Sequence, residues 1–571
     1  MIKRRTEIVL PPYATLLERI RALFPPGAMY DCEPEGMDTI VERRMRQMSS
    51  DIRSRSDWIE TINNADTRAG WAAEAKAKEL TEIEFAYVLD ELAYYASLHP
   101  PGSNARLSAA DGVWFSDILV DVKTTDELKD YAAILEGVPD NQKDWYPEGQ
   151  SRVLNLIDPS LFPLIYNRSK LCRQTSTSPQ AALTLEDAGE FPGSLEGWRK
   201  ALRVGEDGES AYYLPIWDWR YGSYTSDKFS RLPSEFCVDD NGVVNIESYI
   251  NNLHPVKHAA LYPIIASIFS KFLPLLEQVV TDIVHPRQRR VVPDSSKYYK
   301  SDEPLPDCSD DYYEAYLILW RRRAEFIHPQ PEPFVVPTRP INPYKLCGRR
   351  LQAIVKMTNI ELTPKRPKFG GEDWKLEGLN NERIIATGIF FYDVTNIAPS
   401  SLRFREAICC WDFAVEQFDI RSVVKAYGIE ESLLRNEDPV SQELSCVDIE
   451  DGRCLVFPNI HQYKVPELKL EDSTKPGHCK MLTFYFVDPS TRIPSTEVVP
   501  PQQQDWYSED VLASEPFHSL PLLEVDDIMD KADFPISFEE AKKLRPQVYQ
   551  DEYCKHVTRE LFAPHVYVEF P

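Results

Sequence analysis

Five runs of β-branched and aromatic residues in the second half of the chain constrain the fold most strongly. The runs span residues 351–362, 383–394, 402–410, 453–457 and 481–487, and turn-forming residues separate them. Because β-branched and aromatic side chains pack well on a pleated surface, each run predicts a β-strand. Several strands at such short spacing favour a sandwich or a barrel.

The first half of the chain has a helical pattern instead. Residues 71–98 are rich in Ala, Glu, Leu and Lys and carry an apolar residue at about every third or fourth position, which predicts a helix. Further helices are predicted over residues 126–135, 247–284 and 312–326.

The two patterns meet in a proline-rich connection. Prolines, charges and aromatic residues crowd together around residues 285–345, where missing amide donors and fixed φ angles oppose regular structure. We therefore place the main boundary near residue 335. The predicted fold class is α+β, with a mainly helical N-terminal region over residues 1–335 and a strand-rich region over residues 336–571.

Charge and cysteine spacing argue against several classes of function. The chain has 64 Lys and Arg against 90 Asp and Glu, and the resulting net charge of −26 opposes binding to nucleic acid or to an anionic membrane. Its 11 cysteines include no C-x-x-C pair, which argues against a zinc ribbon and against a secreted disulfide framework. No P-loop, G-x-G-x-x-G or G-x-S-x-G pattern is present, so common nucleotide-binding and hydrolase functions are not indicated.

Targeting and membrane signals are missing as well. The N-terminal sequence has no apolar segment long enough for a signal peptide. The most apolar stretch, residues 259–284, is interrupted by Lys271, Pro274 and Glu277, so we expect one or two buried helices there rather than a membrane span. We therefore expect an intracellular, cytoplasmic protein that has no nucleic-acid or membrane partner.

Two short segments contain candidate site residues. In DWKLEG, Lys375 and Glu377 lie on the same face if the segment is extended, and they would then point into one pocket. The alternative is a surface ion pair. In VFPNIHQYKV, His461 and Tyr463 share a face if the strand continues past Asn459, and the alternative for His461 is a hydrogen-bonded structural histidine.

Four long segments resemble the large fungal family catalogued as domain of unknown function 4246. They are VPDNQKDWYPEGQSRVLNLIDPSLFPLIYNRSKL (138–171), SYINNLHPVKHAALYPII (248–265), LNNERIIATGIFFYDVTNI (379–397) and PGHCKMLTFYFVDPSTRIPST (476–496). The resemblance implies that the helical N-terminal half packs on a C-terminal double-stranded β-helix, or jelly-roll barrel. The implied barrel is of the iron(II)/2-oxoglutarate oxygenase type, in which two histidines and one carboxylate hold the iron.

The resemblance also assigns residues to the implied iron site. A Trp-His-x-Glu-Gly pattern lines up with WKLEG, so Glu377 keeps the carboxylate while Lys375 stands in place of the first histidine. The second histidine, in a Phe-Pro-Asn-x-x-Gln-His stretch, falls on Tyr463, and His461 lies two residues earlier.

The resemblance further implies a binding site for the 2-oxoglutarate carboxylate. In a Pro-Gly-His-Arg-Lys pattern, the basic side chains are candidates for gripping that carboxylate. The chain keeps Lys480 but has Cys479 in place of the arginine. Three expected positions, 375, 463 and 479, are therefore changed at once.

These substitutions favour an oxygenase-like protein with a degenerate iron site. A protonated Lys375 supplies positive charge beside Glu377, and the phenol of Tyr463 is neutral unless a strong cation lowers its pKa. Our leading hypothesis is that Lys375, Glu377 and Tyr463 bind a small-molecule ligand or support non-standard, metal-free chemistry.

Two alternatives stay open. The first is an active oxygenase that uses iron(II) and 2-oxoglutarate, holds the metal with Glu377 and His461, and acts on a small molecule or a peptide. The second is a scaffolding protein. The sequence indicates no substrate, and it indicates no oligomeric state.

Overall fold

The computed structural model describes most of the 571-residue chain. The described residues are 37–55, 57–98, 105–110, 112–140, 142–146, 152–172, 178–179, 191–201, 225–285, 289–305, 312–337, 344–407, 419–429, 441–507, 520–521, 524 and 534–557.

Ten α-helices lie within these ranges. They are α1 (Ile40–Arg53), α2 (Trp58–Thr61), α3 (Ala65–Ala77), α4 (Glu82–Leu98), α5 (Val122–Glu136), α6 (Leu195–Ala201), α7 (Leu261–Val284), α8 (Tyr313–Arg323), α9 (Ile420–Ser422) and α10 (Phe538–Val557). A π-helical turn, Val423–Tyr427, continues α9, and 3₁₀ turns span Ser295–Lys297 and Gln504–Trp506.

The same ranges contain nineteen strands, of which eight precede the proline-rich connection and two, β9 and β10, lie within it. Those ten are β1 (Arg106–Leu107), β2 (Trp114–Ser116), β3 (Asp144–Trp145), β4 (Val153–Ile157), β5 (Leu164–Ile165), β6 (Phe229–Ser230), β7 (Ser234–Val238), β8 (Val244–Ile246), β9 (Tyr299–Lys300) and β10 (Glu325–Phe326). The later nine are β11 (Arg349–Leu362), β12 (Lys368–Phe369), β13 (Ile384–Thr395), β14 (Ser401–Ala407), β15 (Ser441–Asp448), β16 (Cys454–Pro458), β17 (Gln462–Lys464), β18 (Leu468–Lys469) and β19 (Gly477–Val487).

A large antiparallel sheet forms the centre of the fold. Its strand order is β1-β2-β16-β13-β19-β11-β4-β3, and β7 and β8 extend it beside β11. The long strands β11, β13 and β19 are buried on both faces, which explains why their sequences are almost continuously apolar instead of alternating. Mixed helix and sheet with a large antiparallel sheet is therefore confirmed as the fold class.

Helix α7 covers one face of this sheet. Phe269 and Phe272 of the helix contact Phe484 of β19, with ring centroids 5.3 and 5.5 Å apart. Among the described helices, α7 alone has the length and apolar composition to cross a membrane, but most of its residues are buried inside the protein. The prediction of one or two buried helices in this region is confirmed, with one helix observed.

The opposite face of the large sheet packs against a smaller sheet of order β15-β14-β17. The core between the two sheets includes Phe391 and Phe457 from the large sheet, and Phe404 and Tyr463 from the smaller one. Along the part of the chain that the structure describes, these strands form two packed sheets and no closed barrel is found.

Most of the predicted elements are present, but several of their bounds differ. The helix predicted over residues 71–98 is two helices, α3 and α4, because the chain turns at Glu79, whose φ is +63°. The helix predicted from residue 247 begins only at Leu261, after a series of turns. Strand β14 covers the first part of the run predicted over residues 402–410, and residues 408–410 lie outside the described residues.

The boundary near residue 335 stays a prediction. The large sheet nevertheless continues across it, because β2 pairs with β16, and β4 and β7 pair with β11. The strands contributed by residues 1–335 are two to five residues long, too short to show a period in the sequence.

Candidate functional site

Backbone hydrogen bonds bring the two predicted site segments together at strand β17. The amide N–H of Lys375 donates to the carbonyl of Tyr463 at 3.0 Å, and the amide of Tyr463 donates to the carbonyl of Lys375 at 2.9 Å. The side chain of Asn459, in the turn after β16, both accepts from the N–H of Glu377 at 3.1 Å and donates to its carbonyl at 2.7 Å. The DWKLEG segment is therefore fixed against β17.

Glu377 lies at the centre of the cluster, and only 7% of its side chain is exposed. Its Oε1 accepts a hydrogen bond from the phenol of Tyr463 and lies 3.7 Å from the ammonium nitrogen of Lys375. Its Oε2 accepts a hydrogen bond from Nη1 of Arg231 at 3.3 Å. Lys375 and Glu377 thus point to the same side, as predicted, and both carboxylate oxygens have partners.

Lys375 has a nearer partner than Glu377. Its ammonium nitrogen lies 2.6 Å from Oε2 of Glu372, three residues earlier in the chain. The same nitrogen lies 5.0 Å from the ring centroid of Tyr463, so the aromatic face adds a cation–π contact. About a third of the side chains of Lys375 and Glu372 is exposed, 32% and 33% respectively, so this end of the cluster faces solvent.

Arg231, between β6 and β7, forms the buried end of the cluster. Its Nε and Nη2 donate to Oε2 of Glu382 at 2.9 and 2.7 Å, and its backbone N–H donates to Oε1 at 2.8 Å. Nη2 also lies 3.6 Å from Oε1 of Glu552 in α10. The guanidinium stacks over Tyr485 of β19, at 5.0 Å from the ring centroid. One arginine therefore contacts three carboxylates.

Gly378 allows the arginine and the carboxylates to approach this closely. Its φ is +73°, and a Cβ at this position would lie 2.5 Å from Oε2 of Glu382 and 3.0 Å from Nη2 of Arg231. Its N–H donates to Oε1 of Glu552 at 2.7 Å. A side chain at position 378 would be strained and would separate the ion pairs.

The charges of the cluster set the protonation states of its members. Burial alone would lower the pKa of Lys375, but Glu372 and Glu377 outweigh it and raise that pKa above its usual value. Burial would raise the pKa of Glu377, but Lys375 and Arg231 hold it below its usual value. Burial and the neighbouring Glu377 raise the pKa of Tyr463. At neutral pH the lysine is thus charged, Glu377 is ionised and the tyrosine is neutral.

The pKa of Glu382 is shifted in the opposite direction to that of Glu377, although both carboxylates contact Arg231. Burial raises the pKa of Glu382, and this effect exceeds the opposing influence of Arg231. The pKa of Arg231 itself is raised because Glu382, Glu552 and Glu377 outweigh the effect of burial. Of Glu377 and Glu382, Glu382 therefore takes up a proton at the higher pH.

These residues do not fit an iron site. Iron(II) sites of the implied type need imidazole and carboxylate donors with open lone pairs. Here Lys375 keeps its proton, and hydrogen bonds or ion pairs engage both oxygens of Glu377. In the described ranges, no group of three or more His, Cys, Asp and Glu residues is arranged to hold a metal ion.

His461 lies in a turn and not in a strand that continues to Tyr463. Strand β16 ends at Pro458, and His461 lies in the following turn, where its N–H donates to the carbonyl of Pro458 at 3.2 Å. The condition that the strand continues past Asn459 is not met, so its shared face with Tyr463 does not follow. His461 is buried, and its role as a metal ligand stays a prediction.

The two remaining candidates lie apart from the cluster. The ammonium of Lys480 donates to both carboxylate oxygens of Glu136 in α5, at 2.9 and 3.1 Å. Cys479 is fully buried in the core between the sheets, and burial together with Asp393 raises the pKa of its thiol to about 12. The structure therefore brings Lys375, Glu377 and Tyr463 together and does not join Lys480 or Cys479 to them.

Sequence reasoning missed four charged members of the cluster, namely Glu372, Arg231, Glu382 and Glu552. Glu372 had a local signal, since it precedes Lys375 by three residues. Arg231 is 146 residues from Glu377 in the chain, and no periodicity connects positions so far apart.

Residues 82–510 match the family model described as "Protein of unknown function (DUF4246)". No curated protein matches the sequence.

Two solved structures show weak likeness to the chain. One is a bsmA homologue from Methylobium petroleophilum PM1, with 9% identity and a TM-score of 0.15, covering 26% of this chain and 44% of that one. This chain therefore spans less than half of that protein's length. The other is the Fe(II)/(alpha)ketoglutarate-dependent dioxygenase TqaL, with 10% identity and a TM-score of 0.19, covering 65% of this chain and 90% of that one. Both TM-scores are too low to establish a shared fold.

Proposed function

The chain belongs to the family described as protein of unknown function DUF4246, and from this premise we propose that it is an oxygenase-like protein with a degenerate iron site, which binds a small molecule without metal. In this proposal the two packed sheets are a jelly-roll barrel, and the Glu377 cluster occupies the position of the iron centre. The cluster consists of Lys375, Glu377, Tyr463 and Arg231 with the carboxylates of Glu372, Glu382 and Glu552.

The observation that carries the proposal is that donors of the chain itself contact both carboxylate oxygens of Glu377. A carboxylate that binds a metal offers an oxygen lone pair to the cation. Here Oε1 faces the phenol of Tyr463 and the ammonium of Lys375, and Oε2 faces Arg231. Two side-chain cations thus provide the positive charge that a metal would otherwise bring, and removing one from a buried pair is costly.

The protonation states favour binding over proton transfer. A general base must be able to accept a proton near neutral pH. Lys375 already carries its proton, and Tyr463 does not lose its own, because the pKa of each is raised. Lys375 and Tyr463 therefore offer fixed donors to a ligand and do not act as a base.

Lys375 is the member of the cluster that a ligand arriving from solvent would contact. Its side chain is partly exposed, whereas Glu377 behind it is buried. An ammonium has three N–H donors, so Lys375 can keep Glu372 and still donate to a ligand carbonyl or carboxylate. Tyr463 and Glu377 hold the lysine in place behind the ligand.

The test is reconstitution with iron(II) and 2-oxoglutarate under anaerobic conditions, followed by exposure to oxygen. Iron per chain is measured after desalting, and succinate is measured by NMR. We expect iron well below one per chain and succinate no higher than in the protein-free control. Stoichiometric iron together with succinate formation would overturn the proposal.

Matched variants separate the proposal from the active-oxygenase alternative. If Glu377 and His461 hold iron, then Glu377→Ala and His461→Ala each lower the iron content, while Glu539→Ala leaves it unchanged. Glu539 is a suitable control because 78% of its side chain is exposed. Under the proposal, all three variants retain the low iron content of the unmodified protein.

A further inference from the structure

A cavity lies outside the Glu377 cluster, between the β5–β6 pair and α10. Its volume is about 720 Å³, within the roughly 300–1,000 Å³ that small-molecule sites occupy. The described residues that line it are Ile165, Asn167, Arg168, Lys170, Phe191, Lys228, Phe229, Phe534, Leu544 and Gln547. It shares no described lining residue with the Glu377 cluster.

The lining carries positive charge that carboxylates only partly neutralise. Arg168 is paired with Glu540 of α10 through two hydrogen bonds, at 2.6 and 3.0 Å. Lys170 and Lys228 form no ion pair with any carboxylate of the described residues. The described lining itself contains no Asp or Glu. Two lysine charges are therefore available to a ligand.

This local excess of positive charge contrasts with the whole chain, whose net charge is −26. The field of the whole protein repels anions at long range, so an anion binds only where local cations outweigh that field. A cavity whose described lining offers two ammonium groups without an ion-pair partner among the described residues, and contains no carboxylate, is such a place.

Aromatic side chains provide the apolar part of the lining. Phe229 is buried, Phe191 is exposed, and Phe534 lies under the ammonium of Lys170, 5.3 Å from nitrogen to ring centroid. This cation–π contact holds Lys170 at the wall of the cavity. Asn167 and Gln547 add neutral amide groups that can both donate and accept hydrogen bonds.

We propose that this cavity binds a small organic anion with a flat apolar body, such as an aromatic carboxylate or phosphate. The anionic group binds between Lys170 and Lys228, and the apolar body packs against the phenylalanines and Leu544. A cation would be repelled by the two lysines, and a neutral apolar molecule would gain nothing from them.

The experiment uses 8-anilinonaphthalene-1-sulfonate as the anionic probe and N-phenyl-1-naphthylamine as its matched probe without the sulfonate. Fluorescence titration gives the Kd of each for the full chain. We expect the sulfonate to bind at least about tenfold more tightly, because each hydrogen bond to a charged group contributes a factor of that order. Equal affinities for the two probes would overturn the proposal.

Variants locate the binding. The double variant Lys170→Gln with Lys228→Gln should weaken binding of the sulfonate probe by about tenfold or more. It should change the binding of N-phenyl-1-naphthylamine little. The control with the same charge change, Lys297→Gln with Lys475→Gln, removes two exposed lysines that do not line the cavity, and it should leave both affinities unchanged. Equal losses in the two double variants would show a general charge effect and contradict the proposal.

A third variant keeps the charges and fills the space. Gln547→Trp places a large side chain at an exposed lining position of α10, and we expect it to weaken both probes. Thermal unfolding of every variant is compared with that of the unmodified chain, since a partly unfolded protein binds such probes nonspecifically. Unchanged sulfonate binding in Gln547→Trp, with an unchanged Tm, would show that the probe binds elsewhere.

Discussion

At the scale of single residues, Glu377 holds the candidate site together. It is buried, it contacts Lys375, Tyr463 and Arg231, and its pKa is lowered because the two cations outweigh burial. A group whose pKa is lowered in the folded state contributes stability above its unfolded pKa and loses that contribution as the pH falls. The contribution of Glu377 is therefore complete at neutral pH, and it falls progressively as the pH drops from the ordinary pKa of 4.5 through the lower pKa of the folded state.

Glu377→Gln should therefore destabilise the protein in a pH-dependent way. At pH 7 we expect a loss of about 3–5 kcal/mol in the free energy of unfolding, because Lys375 and Arg231 lose their shared partner. The loss should shrink as the pH falls below the ordinary glutamate range, where the unmodified carboxylate also becomes protonated. Urea unfolding of both proteins at pH 7 and at pH 4 measures the difference.

The control for this prediction is Glu539→Gln at an exposed position, where we expect a change of about 0–1 kcal/mol at either pH. A Glu377→Gln protein as stable as the unmodified one at pH 7 would show that the cluster does not depend on this charge.

The central residues of this site could be predicted from the sequence, whereas its outer residues could not. Lys375 and Glu377 are two positions apart in an extended segment, so the spacing alone places them on one face. The approach of Tyr463 depends on a strand pairing, and Arg231 depends on the packing of a distant loop. A shared face of His461 and Tyr463 required the strand to continue past Asn459, but the chain turns at Asn459, and the preceding proline alone does not predict that turn.

At the scale of elements, α10 closes the buried end of the cluster through Glu552. The helix is fixed by Arg545, which donates to Asp144 at 2.5 and 3.0 Å and to Asp158 at 2.9 Å. Only 3% of the Arg545 side chain is exposed. The docking of α10 therefore depends on a buried arginine between two aspartates.

Arg545→Met should release α10, because it leaves two buried carboxylates without their cation. We expect a loss of about 3–5 kcal/mol, together with faster amide hydrogen exchange over residues 538–557. Lys543→Met on the same helix, at an exposed position, should change stability by less than about 0.5 kcal/mol. Protection of α10 that is equal in both variants would contradict this account of its docking.

At the scale of the whole molecule, the large sheet joins the two halves of the sequence. Strand β11, after the proline-rich connection, pairs with β4 and β7 from before it, and α7 covers the sheet from the same earlier part. The strand-rich pattern could be predicted, since β11, β13 and β19 are long. The short strands β2, β4 and β7 could not, so the continuity of the sheet across residue 335 was not visible in the sequence.

A fragment of residues 336–571 should therefore fail to fold by itself. It lacks six of the ten strands of the large sheet, helix α7 and Arg231. We expect no cooperative thermal transition for the fragment by circular dichroism, and we expect the full chain to unfold with its two halves coupled. A fragment with a sharp transition and native-like near-UV signal would instead support an independent domain beyond residue 335.

Whether Glu377 pairs with side-chain cations instead of iron is tested most directly by anomalous diffraction at the iron absorption edge, from crystals soaked anaerobically in iron(II). We expect no anomalous peak beside Glu377, and we expect the ammonium of Lys375 and the guanidinium of Arg231 to contact its carboxylate oxygens. A strong peak coordinated by Glu377 and by other side chains of this chain would show that the site holds iron and would contradict the proposed degenerate site.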